Sequence, residues 1–320
     1  MSHNTPGPSS SPQYGVDLVT FYHSAFWGFE TDAEMVAWCA ANPRAMWDRM
    51  LDALVEAGVP WIELTFPPLD FHSALAAYGS VEGVRAGFEE RGIRVLSGFF
   101  NGTHWSDVDP RAAVAEVTDY VEFLQALDAR ILVLGTPMLA GGPDAPVAPV
   151  GAAERRRMLE HLALVCDAVG SAVAARGVRL AVHTESHSLT VTAEDIRSLM
   201  AATDPALVGL CPDSAHITLS GGDPVAIARE FSDRVLVSHW KDASGAFPPD
   251  LVLDENVHAV HRRFMEPLGA GVVDWPGWAA AMADTATAGV RLLELDAAPD
   301  PVSELLAARA FAEGLTPTGP

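Results

Sequence analysis

Cysteine is scarce in this chain: Cys39, Cys166 and Cys211 are the only three in 320 residues, and they lie far apart. An odd, scattered set supplies neither a disulfide framework nor a CxxC metal knuckle, so the three are expected as buried or semi-buried thiols. Basic residues are also few, with 20 Lys and Arg against 42 Asp and Glu, which gives a formal net charge of −22. Nucleic-acid binding draws its affinity from clustered cations, so that class of partner is excluded. Small, neutral substrates or a separate protein partner suit such a surface better. Long apolar runs are missing as well. None reaches the roughly 18–20 residues needed to cross a bilayer, and the N-terminus lacks the basic patch and apolar stretch of a signal peptide. The chain reads as cytoplasmic, without a membrane association.

What is present is enough apolar residue for a large core, 49% hydrophobic against 19% charged. Residues 1–14 are rich in Pro, Ser and Gly without periodicity and read as a flexible tail outside the fold. Over 15–315, strand-like and helix-like runs alternate. Strand candidates fall at 15–21, 61–66, 93–100, 130–135, 178–183, 207–213, 234–239 and 290–295. Amphipathic stretches lie between them; those at 43–58 and 153–177 each end on a glycine, a usual helix stop. Repetition of this unit predicts parallel strands joined by crossover helices, and eight units close a (β/α)8 TIM barrel as one catalytic domain. No GxGxxG turn follows any strand, which argues against an open dinucleotide-binding sheet. Residues 243–272 exceed an ordinary βα connection and suit a substrate-covering loop.

Barrel enzymes place their chemistry at the C-terminal ends of strands. Four neighbouring strand ends here are polar: the fifth runs into His183-Thr184-Glu185-Ser186-His187, the sixth into Asp213 with His216 beyond it, the seventh into His239-Trp240-Lys241-Asp242, and the eighth carries Glu294. Burying such groups unpaired costs roughly 2–7 kcal/mol each even when neutral. A divalent cation compensates for several at once, and a mixed N/O set suits Mn2+, Co2+, Fe2+, Mg2+ or Zn2+. Residues two apart on a strand share a face, so His183 and Glu185 both point into the barrel mouth if the strand extends that far. One then binds metal and the other substrate.

The strings LAVHTESH, GLCPDSAHITLSGGDPV, VLVSHWKDA, FMEPLGAGVVDWPGW and RLLELDAAPDP, in that order, resemble the xylose-isomerase-like barrel superfamily of sugar isomerases, epimerases and dehydratases. The last two look like the closing segment of inosose dehydratases. The resemblance implies one divalent metal ion, Mn2+ foremost, with Asp213, His239 and Glu294 among its ligands. At the fifth strand the chain departs from the usual Glu-x-His and has His183-x-Glu185. We take Glu185 as the ligand by chemistry and His183 as general base, with the reverse assignment, by register, as the alternative. The His-Thr-Glu and His-Trp-Lys-Asp strings are also similar to the large subunit of bacterial C-glycoside deglycosidases, which implies a small β-sandwich partner subunit, with homo-oligomerisation as a further option.

The resemblance implies abstraction of a proton beside a carbonyl of a keto-sugar or cyclitol, followed by β-elimination as in a lyase; isomerisation or epimerisation is the alternative. Lys241 or His216 then donates to substrate oxygens, with an orienting role toward Asp213 as the other reading of His216. Lys241 and Asp242 have a competing reading as a solvated ion pair at the rim. His23, His104 and Trp105 lie on the same expected face and are candidates for substrate binding, as is His258, with His261 near it in the long segment. Two rivals are weaker. An abasic-site endonuclease on this barrel requires a basic groove, and a non-catalytic barrel subunit would have lost ligands that are all present here.

Overall fold

The computed structural model describes residues 12–139, 150–251, 253, 256–287 and 289–315. Eight parallel strands form the barrel wall: β1 (Gln13–Asp17), β2 (Trp61–Leu64), β3 (Arg94–Asn101), β4 (Ile131–Gly135), β5 (Arg179–His183), β6 (Val208–Cys211), β7 (His239–Trp240) and β8 (Val290–Leu293). Their spatial order is β6-β5-β4-β3-β2-β1-β8-β7, every ladder parallel. Parallel bridges Leu210↔Val235 and Asp213↔His239 join the two ends of that row, so the sheet curls round on itself. Val, Ile and Leu fill these strands and are buried, as expected of a sheet covered on both faces. All three cysteines are buried and free.

The helices form where the sequence provides both a stripe and its ends. Pro43–Ala57 starts on Pro at its first position, buries Met46, Trp47, Met50, Leu51 and Leu54 at spacings of three and four, and stops at Gly58 with φ 65°. Ala152–Ala174 buries Leu159, Leu162, Cys166, Val169 and Val173 in the same way. Among the described residues no helix is long and apolar enough to cross a membrane.

Two strands differ from the sequence reading. β1 begins at Gln13, inside the expected tail, and ends at Asp17, where the Asp17 side chain accepts from Val19 N and turns 18–21 into a 3-10 helix. The rest of the expected tail, residues 1–11, lies outside the described residues. The seventh strand, expected over 234–239, is a regular ladder only at His239–Trp240. Residues 234–238 touch β6 through Leu210 N to Arg234 O and Leu236 N to Leu210 O, and the next bond skips to His239 N donating to Pro212 O. Pro212 has no N–H to continue the pattern. Gly209 completes this seam, because a Cβ there would stand 2.4 Å from Leu236 Cγ.

After β7 the chain makes a two-residue antiparallel pairing, Asp242–Ala243 with Met265–Glu266, and the helix Val257–Arg262 lies within that excursion. Asp242, fully buried, holds its base. Its carboxylate accepts from Ala243 N, Gly269 N, Gly271 N, Val273 N and Trp275 Nε1, the last at 2.8 Å. The Gly-x-Gly turn is shaped by this contact: Gly269 sits at φ 88°, and a Cβ on Gly271 would lie 2.2 Å from Asp242 Oδ1. The competing reading of Lys241 and Asp242 as a solvated rim pair does not hold, since both are buried in separate roles. Asp242→Ala strands five donors in the interior, and we expect a loss of about 3 kcal/mol or more of unfolding free energy in urea titrations; a loss below about 1 kcal/mol would show that water replaces the carboxylate without penalty.

Candidate active site

The acids and imidazoles gather where the strands end. Asp17 closes β1, Glu63 lies in β2, His183 closes β5, Asp213 follows β6, His239 and Lys241 come from β7 and its continuation, and Glu294 and Asp296 follow β8. Local structure fixes several of them. Asp213 caps the helix Ser214–Leu219, its Oδ1 accepting from the backbone N of His216 at 2.8 Å, and its own N donates to Thr184 Oγ1. That leaves Oδ2 facing inward.

At the centre lie buried polar atoms with no hydrogen-bond partner among the described residues: both ring nitrogens of His183, Asp213 Oδ2, His239 Nδ1 and Glu294 Oε2. His183 Nε2 and His239 Nδ1 are each 3.7 Å from Asp213 Oδ2. His239 Nδ1 meets Glu294 Oε2 at 2.8 Å, yet out of line for a hydrogen bond. Atoms bound at about 2.0–2.2 Å to one cation stand roughly 3–3.5 Å from each other, which is the spacing this cluster approaches. The donor set of imidazole and carboxylate fits a divalent ion, and His183, Asp213 and His239 place one ligand atom each within 4.8 Å of the others.

The shell behind this cluster is also built. His239 Nε2 contacts Glu63 Oε1 at 2.9 Å, and Ser97 Oγ donates to Glu63 Oε2, so the imidazole is fixed by a carboxylate on its far side. Burial, with Glu294 and Glu63 beside it, pushes the Asp17 carboxyl well above the usual carboxylate range. Lys241, 1% exposed, lies 2.5 Å from Glu294 Oε1 and 2.6 Å from Asp296 Oδ1. Burial opposes its charge, but Asp296, Glu294 and Asp213 keep the ammonium protonated well above the ordinary range. Burial likewise works against the Glu294 carboxylate, while Lys241 and His239 hold its pKa down to about 2.

Above the cluster opens a cavity of about 290 Å3, with Tyr22, Phe66 and Phe99 on its apolar side and Asn101, Thr136 and Arg262 among its polar lining. His183, Glu185, His216, His239, Lys241, His258 and Glu294 also reach it. Glu185 adjoins the central trio on the Nδ1 side of His183: its oxygens lie 3.4 Å from His183 Nδ1 and 3.6 Å from His216 Nε2, and it groups with His258 and His261. His183 is thus the fifth-strand residue grouped with Asp213 and His239, while Glu185, which the sequence reading favoured as ligand, is grouped with His258 and His261. The backbone of His216 holds Asp213, and its ring Nδ1 pairs with Ser186 Oγ at 3.0 Å.

His23, His104 and Trp105 do not reach the cavity. His23 caps the helix Ser24–Trp27 through Nδ1, and His104 and the fully buried Trp105 both bond Glu116 Oε2, at 2.8 and 2.9 Å. They are read better as local structure. Asp17, Glu63 and Asp296 were passed over in the sequence. Asp296, two residues past Glu294, lies where the strand-end rule points, whereas Asp17 and Glu63 fall inside the strand candidates 15–21 and 61–66, where it does not.

Comparison with known proteins agrees with this picture. The profile of the xylose isomerase-like TIM barrel family matches residues 51–313. The rhizopine catabolism protein MocC of Rhizobium meliloti is 30% identical over 233 residues, 70% of this chain and 69% of that protein. Inosose dehydratase of Bacillus anthracis is 26% identical over 161 residues, so the match spans 50% of this chain and about half, 54%, of the dehydratase. The crystal structure of the IOLI protein with a bound zinc atom has the same fold, with a TM-score of 0.65 at 14% identity over 95% of this chain and 96% of that one. Barrel, strand-end cluster and sequence match lead to one assignment: the chain belongs to the xylose isomerase-like TIM barrel family.

Proposed function

We propose that this protein is a divalent-metal-dependent enzyme that removes a proton from the carbon beside the carbonyl of a keto-sugar or cyclitol and completes a β-elimination, as a lyase. The observation that carries the reading is the set of unpartnered buried atoms of His183, Asp213, His239 and Glu294 at the barrel mouth. These four side chains would hold the ion, through two imidazoles and two carboxylates. A bound divalent ion supplies Lewis-acid stabilisation of the negative charge that develops on a substrate oxygen. The zinc in the IOLI protein and the inosose dehydratase and rhizopine relatives support this class of chemistry.

The remaining steps fall to the chain itself. Asp296 lines the cavity beside the ligand Glu294 and is joined to Lys241 at 2.6 Å. Its carboxylate takes the proton from carbon, in the general-base role that the sequence reading gave to His183. Lys241, whose ammonium also reaches Glu294, donates to the substrate oxygen that gains charge or departs. Tyr22, Phe66 and Phe99 offer an apolar wall to the carbon face of a ring.

Ligand loss separates the two fifth-strand readings. His183→Ala should weaken the tightest-bound ion by more than the roughly 10–100-fold that loss of an outer-shell partner costs, whereas Glu185→Gln leaves that ion in place; metal analysis after dialysis reads both. The opposite pattern would return the ligand role to Glu185. The chemistry is tested by incubating keto-inositols in deuterated water and following exchange beside the carbonyl by NMR. EDTA should abolish exchange, and Asp296→Asn should slow it about 10²–10⁴-fold with the ion retained. Exchange by Asp296→Asn at the wild-type rate rules out this base, and accumulation of an epimer in place of a dehydrated product reassigns the enzyme to epimerisation.

A further inference from the structure

We propose that Glu185, His258 and His261 form a second divalent-cation site at the cavity mouth, separate from the strand-end cluster, which takes a borderline ion such as zinc or cobalt and ties the helix Val257–Arg262 to the end of β5. One ligand atom from each of the three residues lies within 4.8 Å of the other two. The donor set is two imidazoles and one carboxylate, which suits those ions and leaves a fourth position open.

The helix geometry supports a shared ligand. His258 and His261 are three apart on one helix, and neighbours at that spacing lie on the same face. Their ring centroids stand 6.0 Å apart. His261 is 0% exposed, and its Nε2 is taken by His187 Nδ1 at 2.9 Å. Its Nδ1 is buried and has no partner among the described residues. That nitrogen is the one His261 can offer to an ion, and the His187 contact is the kind of outer-shell bond that fixes which nitrogen is free.

His187 adopts an uncommon backbone conformation. Its backbone has φ 62°, in the left-handed region that non-glycine residues seldom occupy, and its ring stacks on His261 with centroids 5.1 Å apart. Phe247 packs on the same two rings. Glu185 comes from the barrel and both imidazoles from the excursion after β7, so an ion here would add to the side-chain contact of His187 with His261 as a link between the two.

The site makes no use of the proposed reaction and is tested with zinc alone on the full chain. Calorimetry and metal analysis after gel filtration are expected to find two ions per wild-type chain. His258 is exposed, so His258→Ala keeps the fold, and it should weaken the second ion at least about 10-fold with the first unchanged. Asp213→Asn should lose the first ion and keep the second. With cobalt as the probe, the second equivalent should change the visible spectrum in the wild type and not in His258→Ala, and it should slow proteolytic cleavage in 244–263. A single ion in the wild type, lost in His183→Ala and kept in His258→Ala, overturns the second site and leaves the proposed function standing. Two ions of unchanged affinity in His258→Ala overturn it as well, and a wild type that binds none overturns both.

Discussion

The structure turns on a problem of charge. Asp17, Glu63, Asp213 and Glu294 are at most 9% exposed and share one end of the barrel with His183, His239 and Lys241. Isolated ions in such surroundings cost several kcal/mol each, and a barrel interior is ordinarily filled by Val, Ile and Leu. The solution is a layered one. Lys241 sits between Glu294 and Asp296, Glu63 is tied to His239 and Ser97, and Asp17, its carboxyl pushed up by burial, lies against the same group. After this pairing the atoms still unsatisfied are those turned toward the centre. A cluster that pairs its outer atoms and leaves its inner ones open can take a guest there, and imidazole and carboxylate donors fit a cation.

The barrel itself contributes rigidity where the site needs it. Asp17, Glu63, His183, His239, Lys241 and Glu294 lie in a strand or one residue past it, and Asp213 is held by its helix cap and by the bridge to His239, so the cluster is set mainly by the barrel frame. The one long excursion is tethered in turn: the Asp242 carboxylate gathers five donors from the segment's two ends, and the glycines at 269 and 271 exist to let it approach. The helix Val257–Arg262 can therefore sit over the cavity while its root stays fixed. This is the same division of labour seen in many barrels, with chemistry on the frame and cover on the loop.

Much of this was legible in the sequence because it rests on periodicity. The alternation of apolar strands with amphipathic helices gave eight strands, and polar residues ending the fifth to eighth strands marked the site. What failed was local. The seventh strand slipped because Pro212 interrupts pairing on the neighbouring strand, a feature of the partner that a reading of 234–239 cannot see. His104 and Trp105 lay after the right strand but bond Glu116 on the next helix, and strand order says nothing about that. Asp17 and Glu63 were missed because they lie inside the strand candidates 15–21 and 61–66, whereas the sequence reading looked to strand ends. The two fifth-strand candidates are separated by where β5 stops: it ends at His183, and Glu185, past the ladder, is grouped with His258 and His261.

That last shift has an electrostatic consequence for the proposed ligand set. A carboxylate at the β5 position, as in the usual Glu-x-His pattern, would give a divalent ion three negative ligands from β5, β6 and β8. With His183 there, two carboxylates, Asp213 and Glu294, balance the ion's charge and two neutral imidazoles complete the set. Lys241 draws further charge from Glu294 through its 2.5 Å contact. Each of these differences would leave a bound ion less neutralised by protein, and so more able to stabilise negative charge on a ligand oxygen. The carboxylate displaced from the ligand position is not lost. It reappears two residues on as Glu185, which lies 3.6 Å from His216 Nε2 and is grouped with His258 and His261.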